Sequence, residues 1–158
     1  EEMAKEERSN HIVVNRKARY EYHLSDPVEA GISLLGHEVK SLRAGKVNIT
    51  DSYARVQNGE VFIHKLHITP YDFDTLSAPY PERPRRLLLH KAEIRKLARS
   101  VDQKSMTLVP TRMYFRRGFV KVQISLGRGK TQYDKRDAIK SRDAARDMRD
   151  AVRRYDPD

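Results

Sequence analysis

Apolar and polar residues alternate over short segments of this chain, which is the pattern of half-buried β-strands. Tyr20, Tyr22 and Leu24 share one face of a first predicted strand, and Asp26-Pro27 is expected to end it. Residues 31–35 are predicted to form a second strand. The pattern therefore predicts a chain built mainly from short strands.

Two further pairs of strands are predicted to form hairpins. Asn58-Gly59 is a strong signal for a two-residue turn and divides the segment 52–68 into two strands. Residues 106–115 and 119–126 flank a second turn at Arg116-Arg117-Gly118. The last strand is predicted to point inward with Val120, Val122, Ile124 and Leu126. Hairpins of this kind favour antiparallel pairing over parallel βαβ units.

Two stretches have the period of short helices. The first covers residues 38–44 and is expected to end at Gly45. The second covers residues 91–101 and follows a short apolar strand at 87–89. With about six strands, the predicted fold class is mainly β with short helices (α+β), arranged as an OB-like antiparallel β-barrel. A half-open α+β sandwich is the alternative.

The distribution of polar residues predicts three parts of the chain. Residues 1–12 are expected to be a disordered extension, 13–127 an OB-like barrel, and 128–158 a basic tail. On a helix, the tail would carry a thin apolar stripe made of Ala145, Met148, Val152 and Tyr155. Because isolated helices of this length are marginal in water, we predict a tail that is disordered when free and helical when docked on RNA. A helix packed on the barrel is the alternative.

The charge balance indicates an anionic partner. The 158 residues contain 32 Lys and Arg against 22 Asp and Glu, a net charge of +10. Such an excess favours RNA, DNA or an acidic membrane surface, although a merely soluble basic protein is the alternative. The absence of cysteine excludes disulfides and thiolate sites, and no apolar run approaches the roughly 20 residues needed to cross a bilayer. We therefore expect a cytoplasmic protein with no membrane association.

Motifs for catalysis are not found. His64 and His67 would point to opposite faces of a strand and could not easily bind one metal ion. Gly129-Lys130-Thr131 resembles the end of a phosphate-binding loop, but that loop needs a glycine where Ile124 stands. We predict no catalytic residue, no metal and no cofactor, and hence no enzyme.

Basic residues interleave with aromatic ones at residues 16–20, 53–55 and 114–117. Exposed aromatic rings can stack on bases while Lys and Arg neutralise phosphates, so these segments favour nucleic-acid binding. The alternative is that the rings are core residues. Core packing is the better interpretation for Tyr22, Tyr114 and Phe115. The pattern alone leaves Tyr20 and Tyr53 undecided.

Several segments resemble those of the small protein B family and come in the family's order. They are residues 15–20, 29–31, 38–46, 87–90 and 129–136. The run Glu-Val-Lys-Ser-Leu-Arg and the tail sequence Asp-Lys-Arg are specific when they occur together. The likeness covers about residue 12 to the end of the chain.

The resemblance implies an OB-like barrel that binds the tRNA-like domain of transfer-messenger RNA (tmRNA, also SsrA). It implies that the protein delivers tmRNA to stalled 70S ribosomes in trans-translation, a bacterial ribosome-rescue process. The tail would enter the decoding centre, next to 16S rRNA, and the mRNA channel. Elongation factor Tu would be an indirect partner, and the protein a monomer. A generic OB-type single-stranded RNA-binding or ribosome-associated protein is the alternative function, and a nuclease or RNA-modifying enzyme is a third.

The resemblance, together with the basic and aromatic pattern at Tyr53, gives the residues expected to act. The RNA-binding residues would be Arg19, Tyr20, Glu29, Glu38, Lys40, Arg43, Lys46, Tyr53, Leu88 and His90. The residues acting at the decoding centre would be Gly129, Lys130, Tyr133, Asp134, Lys135 and Arg136. His90 stands where many relatives have Asn, Tyr133 replaces a frequent His, and Thr131 replaces a frequent Lys. The last change predicts the loss of one phosphate contact.

Overall fold

A computed structural model of the chain describes residues 10–70 and 80–131 and eight positions of the tail. Those tail positions, all helical, are Tyr133, Lys135, Arg136, Ile139, Lys140, Arg142, Asp143 and Arg146. The predicted disorder of residues 1–9 and the predicted site residue Asp134 lie outside the described residues. The disorder of the free tail therefore stays a prediction.

Within the described part, nine strands and three helices follow one another. They are β1 (His11–Val14), α1 (Arg16–Glu21), β2 (Tyr22–Ile32), α2 (Gly36–Arg43), β3 (Val47–Asn48), β4 (Tyr53–Gln57), β5 (Glu60–His64), β6 (His67–Ile68), β7 (Arg85–Leu88), α3 (Lys91–Lys104), β8 (Thr107–Arg116) and β9 (Phe119–Gly129). The predicted class, mainly β with short helices, is confirmed.

The strand pairings of the larger sheet close on themselves. The order of neighbours is β8-β4-β5-β7-β2-β9, and β9 pairs again with β8. Strand β1 adds to β8 beyond its short contact with β4, and β3 and β6 form a separate two-stranded sheet. A closed ring leaves the paired strands without open edges. This arrangement is compatible with the predicted OB-like barrel.

Both predicted hairpins are present. At the first turn Asn58 and Gly59 have φ angles of 51° and 76°, and at the second Arg117 and Gly118 have 52° and 80°. Two consecutive residues with positive φ are typical of the turn that matches the right-handed twist of antiparallel strands. The second turn is shorter than predicted, because Arg116 belongs to β8.

The predicted end of a strand at Asp26-Pro27 is wrong. Strand β2 runs from Tyr22 to Ile32 and pairs with β9 on both sides of this dipeptide. The register shifts between Ser25 and Val28, and Asp26 adopts a φ of 50°. A bulge accommodates the proline, which has no N–H to donate to the ladder. The strand predicted at 31–35 is only the end of β2.

The helix α1 was not predicted, and Tyr20 lies in it rather than in a strand. Asn15 caps this helix, since its side-chain oxygen accepts a hydrogen bond from Ala18 N at 3.1 Å. The Asn15 amide also donates to Pro110 O at 2.9 Å, which attaches the start of α1 to β8. Regular structure begins before residue 13, the predicted start of the barrel, because β1 starts at His11.

The core fills the interior of the ring. The predicted inward side of β9 is confirmed, since its four predicted residues are all buried. Helix α3 covers the core with Leu97, and α2 with Leu42. Other fully buried apolar side chains are Val61 and Ile63 of β5, Leu66 after it, Leu87 of β7, and Leu108 and Met113 of β8.

We expect Gly127→Ala to lower the free energy of unfolding by about 1–3 kcal/mol, because a Cβ at this position would overpack β9. That atom would lie 2.7 Å from Val109 Cγ2 and 3.1 Å from Tyr22 Cδ1. Urea denaturation measures the change. Gly36→Ala is the matched control, since a Cβ there meets no described atom within 4 Å. Equal losses in both variants would contradict overpacking as the cause.

Candidate nucleic-acid interface

Strand alternation places Glu29 and Gly31 on the outer face of β2, because Ala30 between them is fully buried. Gly31 pairs with Leu88 of β7, which is 47% exposed. A Cβ on Gly31 would lie 3.1 Å from Leu88 Cβ, so the missing side chain lets Leu88 pack closely across β2. An open pocket is lined by Glu29, Leu88 and His90 among others. The structure thus brings three predicted RNA-binding residues together.

The Glu29 carboxylate is held in place by two donors from β8. The Tyr114 hydroxyl donates to Glu29 Oε2 at 2.5 Å and Arg116 Nη1 donates to the same atom at 3.0 Å. Burial alone would raise the pKa of Glu29, but these hydrogen bonds outweigh it and lower that pKa. Burial and the carboxylate both raise the pKa of Tyr114, which therefore stays a donor. The site presents a fixed, ionised acceptor.

Tyr114 and Arg116 were missed as site residues. Tyr114 is buried, as core packing predicted, but its hydroxyl reaches the outer face. The Arg112 guanidinium lies 4.6 Å from the centroid of the Tyr114 ring. The alternation of Arg112, Tyr114 and Arg116 along β8 was the signal that could have placed all three on one face. The contacts of Tyr114 and Arg116 with Glu29 span 85 and 87 residues of sequence, so the local pattern could not reveal them.

His90 lies at the first turn of α3, next to this pocket. Its backbone N–H donates to Glu93 Oε1 at 3.2 Å, which caps the N-terminus of α3. The imidazole is exposed and lines the pocket with Lys91 and Lys121. An imidazole at this place can hydrogen-bond a base edge or stack on it.

The predicted phosphate-binding cations Lys40 and Arg43 of α2 and Lys46 after it are exposed. The Arg43 guanidinium lies 5.8 Å from the centroid of the Phe115 ring, which packs against the core. Because side chains alternate along a strand, Phe115 faces the opposite side of β8 from Tyr114 and Arg116, which hold Glu29. The structure therefore does not bring these three cations together with the Glu29 pocket.

The prediction that Glu38 contacts RNA is wrong in this structure, because Glu38 is only 2% exposed. Its carboxylate binds the guanidinium groups of Arg83 and Arg85, and Oε1 accepts from Leu35 N at 2.8 Å. Arg85 is buried as well and donates to Leu66 O at 2.7 Å. Burial raises the pKa of Glu38, but the hydrogen bonds from Arg83 and Leu35 and the charge of Arg85 outweigh it and lower that pKa. Glu38 ties α2 to the barrel.

A second group of predicted residues lies on α1 and at the start of the tail, here called the tail root (Lys130 and Lys135). Lys130 Nζ donates to Arg19 O at 3.1 Å, and Lys130 N donates to Glu21 O at 2.7 Å. Lys135 Nζ lies 5.6 Å from the centroid of the exposed Tyr20 ring. These contacts attach the tail root to α1, at the end of β2 far from Gly31. Strand β9 reaches Gly129, which moves the predicted tail boundary at residue 128 by two residues.

Tyr53 lies near α1 rather than near Glu29. Its ring stacks on His64 with centroids 5.2 Å apart, and Arg55 lies 5.9 Å from its centroid. Burial and the charge of Arg55 lower the pKa of His64. A polar pocket contains Tyr53 together with Lys17 of α1. Tyr53 is half-buried.

The family model of the SmpB protein matches residues 12–154. The chain belongs to the SmpB family. Within the described residues, no group of three or more His, Cys, Asp or Glu could hold a metal ion. In the same part of the chain, no helix is both long and apolar enough to cross a membrane.

Several similar proteins bear the name SsrA-binding protein. The one from Chlorobaculum tepidum is 49% identical over 144 residues, which cover 90% of this chain and 92% of that protein. The one from Nitratidesulfovibrio vulgaris (strain DP4) is 54% identical over 147 residues and 93% and 96% of the two chains. A solved structure described as "tmRNA-SmpB: a journey to the center of the bacterial ribosome" has a TM-score of 0.65 and 47% identity, covering 80% of this chain and 93% of that one.

We expect Glu38→Ala to lower the free energy of unfolding by about 3–5 kcal/mol, because it leaves the buried Arg85 charge unpaired. The matched control is Glu60→Ala, which breaks the half-exposed Arg86–Glu60 pair of 3.2 Å and should cost less than about 1 kcal/mol. Urea denaturation at neutral pH measures both. Equal effects would contradict the structural role of the buried cluster.

The Glu38 contribution should also depend on pH. Its pKa is lower in the folded protein than in the unfolded chain, so its stabilising effect is complete above the ordinary carboxyl range. The effect is lost as the pH falls through the lower, folded pKa. The difference in stability between the original protein and Glu38→Ala should therefore shrink between about pH 7 and pH 3.

Proposed function

We propose that this chain is an SsrA-binding protein, which binds the tRNA-like domain of tmRNA and brings it to stalled ribosomes in trans-translation. The observation that carries this proposal is the family match along residues 12–154, together with relatives of that name at about 50% identity. The chain covers more than nine-tenths of those relatives' length. The solved relative, described as tmRNA-SmpB in the bacterial ribosome, supports a ribosomal setting.

The geometry supplies a surface suited to a folded RNA. Glu29 is an ionised acceptor of fixed orientation, which can receive hydrogen bonds from base amino groups. Leu88 and His90 offer an apolar contact and a polar ring beside it. Lys40 and Arg43 of α2 are exposed and can neutralise phosphates. The Glu29 carboxylate thus selects a base at one point of the RNA, while Lys and Arg side chains bind the phosphate backbone of the RNA.

A second part of the proposal concerns the tail. Gly129, Lys130, Tyr133, Asp134, Lys135 and Arg136 act in the decoding centre and the mRNA channel. The tail root is attached to α1 by Lys130, so the barrel fixes where the tail begins. Tyr133 is strongly exposed and can stack on a base there. RNA binding and decoding-centre contacts are thereby divided between barrel and tail.

Other features follow from this proposal. The protein acts by contact rather than catalysis, as a monomer in the cytoplasm. Elongation factor Tu is an indirect partner. The alternative function, a generic single-stranded RNA-binding protein, differs in one measurable property, its preference between folded and unstructured RNA.

The purified protein should bind the tRNA-like domain more tightly than ordinary tRNA or a single-stranded oligomer in a gel shift. Log affinity should fall linearly with log salt, with a slope of about −0.7 to −0.9 for each phosphate neutralised. Equal binding to the single-stranded oligomer would favour the alternative function. RNA cleaved or modified in the same mixture with Mg²⁺ would contradict the non-enzymatic role.

Glu29→Gln should weaken binding to the tRNA-like domain by about tenfold, because a charge-assisted hydrogen bond is replaced by a neutral one. The melting temperature should change little, since Glu29 lies at the surface. Glu82→Gln is the matched control, because Glu82 also has a partner, with 3.7 Å between its Oε1 and His67 Nδ1. A lower melting temperature with unchanged RNA affinity would show that Glu29 stabilises the fold and does not contact RNA.

Removing residues 132–158 should leave the affinity for the tRNA-like domain nearly unchanged but abolish tagging on stalled ribosomes. The cut preserves β9 and the contacts of Lys130 with α1. Gel shifts and an in vitro tagging assay measure the two activities. A truncated protein that loses its RNA affinity would contradict the division of labour between barrel and tail.

A further inference from the structure

The outer face of the last hairpin continues the face that carries Glu29. Ladder pairing aligns Arg116 with Phe119 and Tyr114 with Lys121 between β8 and β9. The same Lys121 is aligned with Gly31 of β2, which in turn pairs with Leu88. Val120, which lies between Phe119 and Lys121 in β9, is buried, so the side chains of Phe119 and Lys121 point outward. Four strands thus share one surface.

Phe119 is the exposed aromatic ring of this surface. It is 70% exposed although phenylalanine is usually buried. It follows the rigid two-residue turn of Arg117 and Gly118, whose φ angles are 52° and 80°. The backbone therefore holds the ring at the tip of a paired ladder rather than on a loose loop. The Phe119 ring therefore has a fixed position, as stacking on another planar ring requires.

The charges around Phe119 indicate what that partner is. Its cross-strand neighbour Arg116 is exposed and is oriented by Glu29 at 3.0 Å. Arg117 is exposed in the turn, and Lys121 lies two residues further along the same face. An aromatic ring among three cations fits an unpaired base and its flanking phosphates. Continuity with the Glu29 pocket favours RNA over a protein or a lipid surface.

We propose that the tip of the β8–β9 hairpin is a second base-contacting site of the RNA surface. Phe119 stacks on an unpaired base of the tRNA-like RNA, and Arg117 and Lys121 contact the phosphates beside it. This inference rests on the proposed function. It adds a site to the predicted residues Glu29, Leu88 and His90, which lie further along the same sheet.

The test compares four variants of the full chain in gel shifts with the tRNA-like domain. Phe119→Ala should weaken binding by roughly 5- to 150-fold, which corresponds to the loss of one stacked base. Phe119→Leu should be similarly weak, because it keeps apolar area but has no aromatic face, and Phe119→Tyr should bind normally. Tyr80→Ala is the matched control, since Tyr80 is 68% exposed and outside this surface. All four should melt at the original temperature.

Two further readouts separate stacking from charge. Phe119→Ala should leave the salt dependence of binding unchanged, whereas Lys121→Ala should reduce its slope by about one phosphate. Chemical probing of the bound RNA should show one unpaired base that the original protein protects and Phe119→Ala does not.

The outcomes are distinct. If the original protein selects the tRNA-like domain and Phe119→Ala binds equally well, the inference is overturned and the proposed function stands. If Phe119→Leu binds as tightly as the original protein, an apolar contact replaces stacking and the proposal is overturned. If the original protein does not select the tRNA-like domain, the proposed function fails and this inference fails with it.

Discussion

The architecture depends on the double pairing of β9. This strand is hydrogen-bonded to β8 on one side and to β2 on the other, which closes the ring. The same pairing sets the register that aligns Gln123 with Glu29 and Lys121 with Gly31. Because side chains alternate along a strand, a shift of one residue would turn the whole outer row inward. The core and the interface are therefore fixed by one set of hydrogen bonds.

A second constraint positions the helix α2. The buried cluster of Glu38 with Arg83 and Arg85 joins this helix to β7 and to the carbonyl of Leu66. Desolvation offsets much of the attraction in a buried pair, but removing one partner leaves the other charge buried and unpaired. Glu38, which the resemblance implies to be an RNA-binding residue, is thus a contact between α2 and the barrel.

The interface combines one ordered carboxylate with a strongly basic surface. With a net charge of +10, the protein attracts any nucleic acid, and such attraction carries no sequence information. Selecting one RNA over another needs side chains of fixed orientation. Hydrogen bonds from the Tyr114 hydroxyl and Arg116 orient the Glu29 carboxylate, and the hairpin turn fixes the position of Phe119. Rigidity at these points distinguishes the surface from a merely basic one.

Local signals in the sequence determined much of this fold. The turn at Asn58-Gly59, the alternation of β9 and both longer helices follow from residues close in the chain, where backbone preference and burial period act. Likewise, the positive charge and the family motifs indicated an RNA partner. The predicted pocket residues Glu29, Leu88 and His90 do converge.

Only the tertiary structure decided the rest. The helix α1 depends on Asn15, which is held by Pro110 from far along the chain, and β2 continues through Asp26-Pro27 because β9 supports both sides of a bulge. Glu38 belongs to a segment that the resemblance assigns to RNA binding, yet it is buried and paired with Arg83 and Arg85, which lie 45 and 47 residues away in the sequence. Long-range pairing overrides local preference at these places, since contacts between distant segments leave no periodic trace in the sequence.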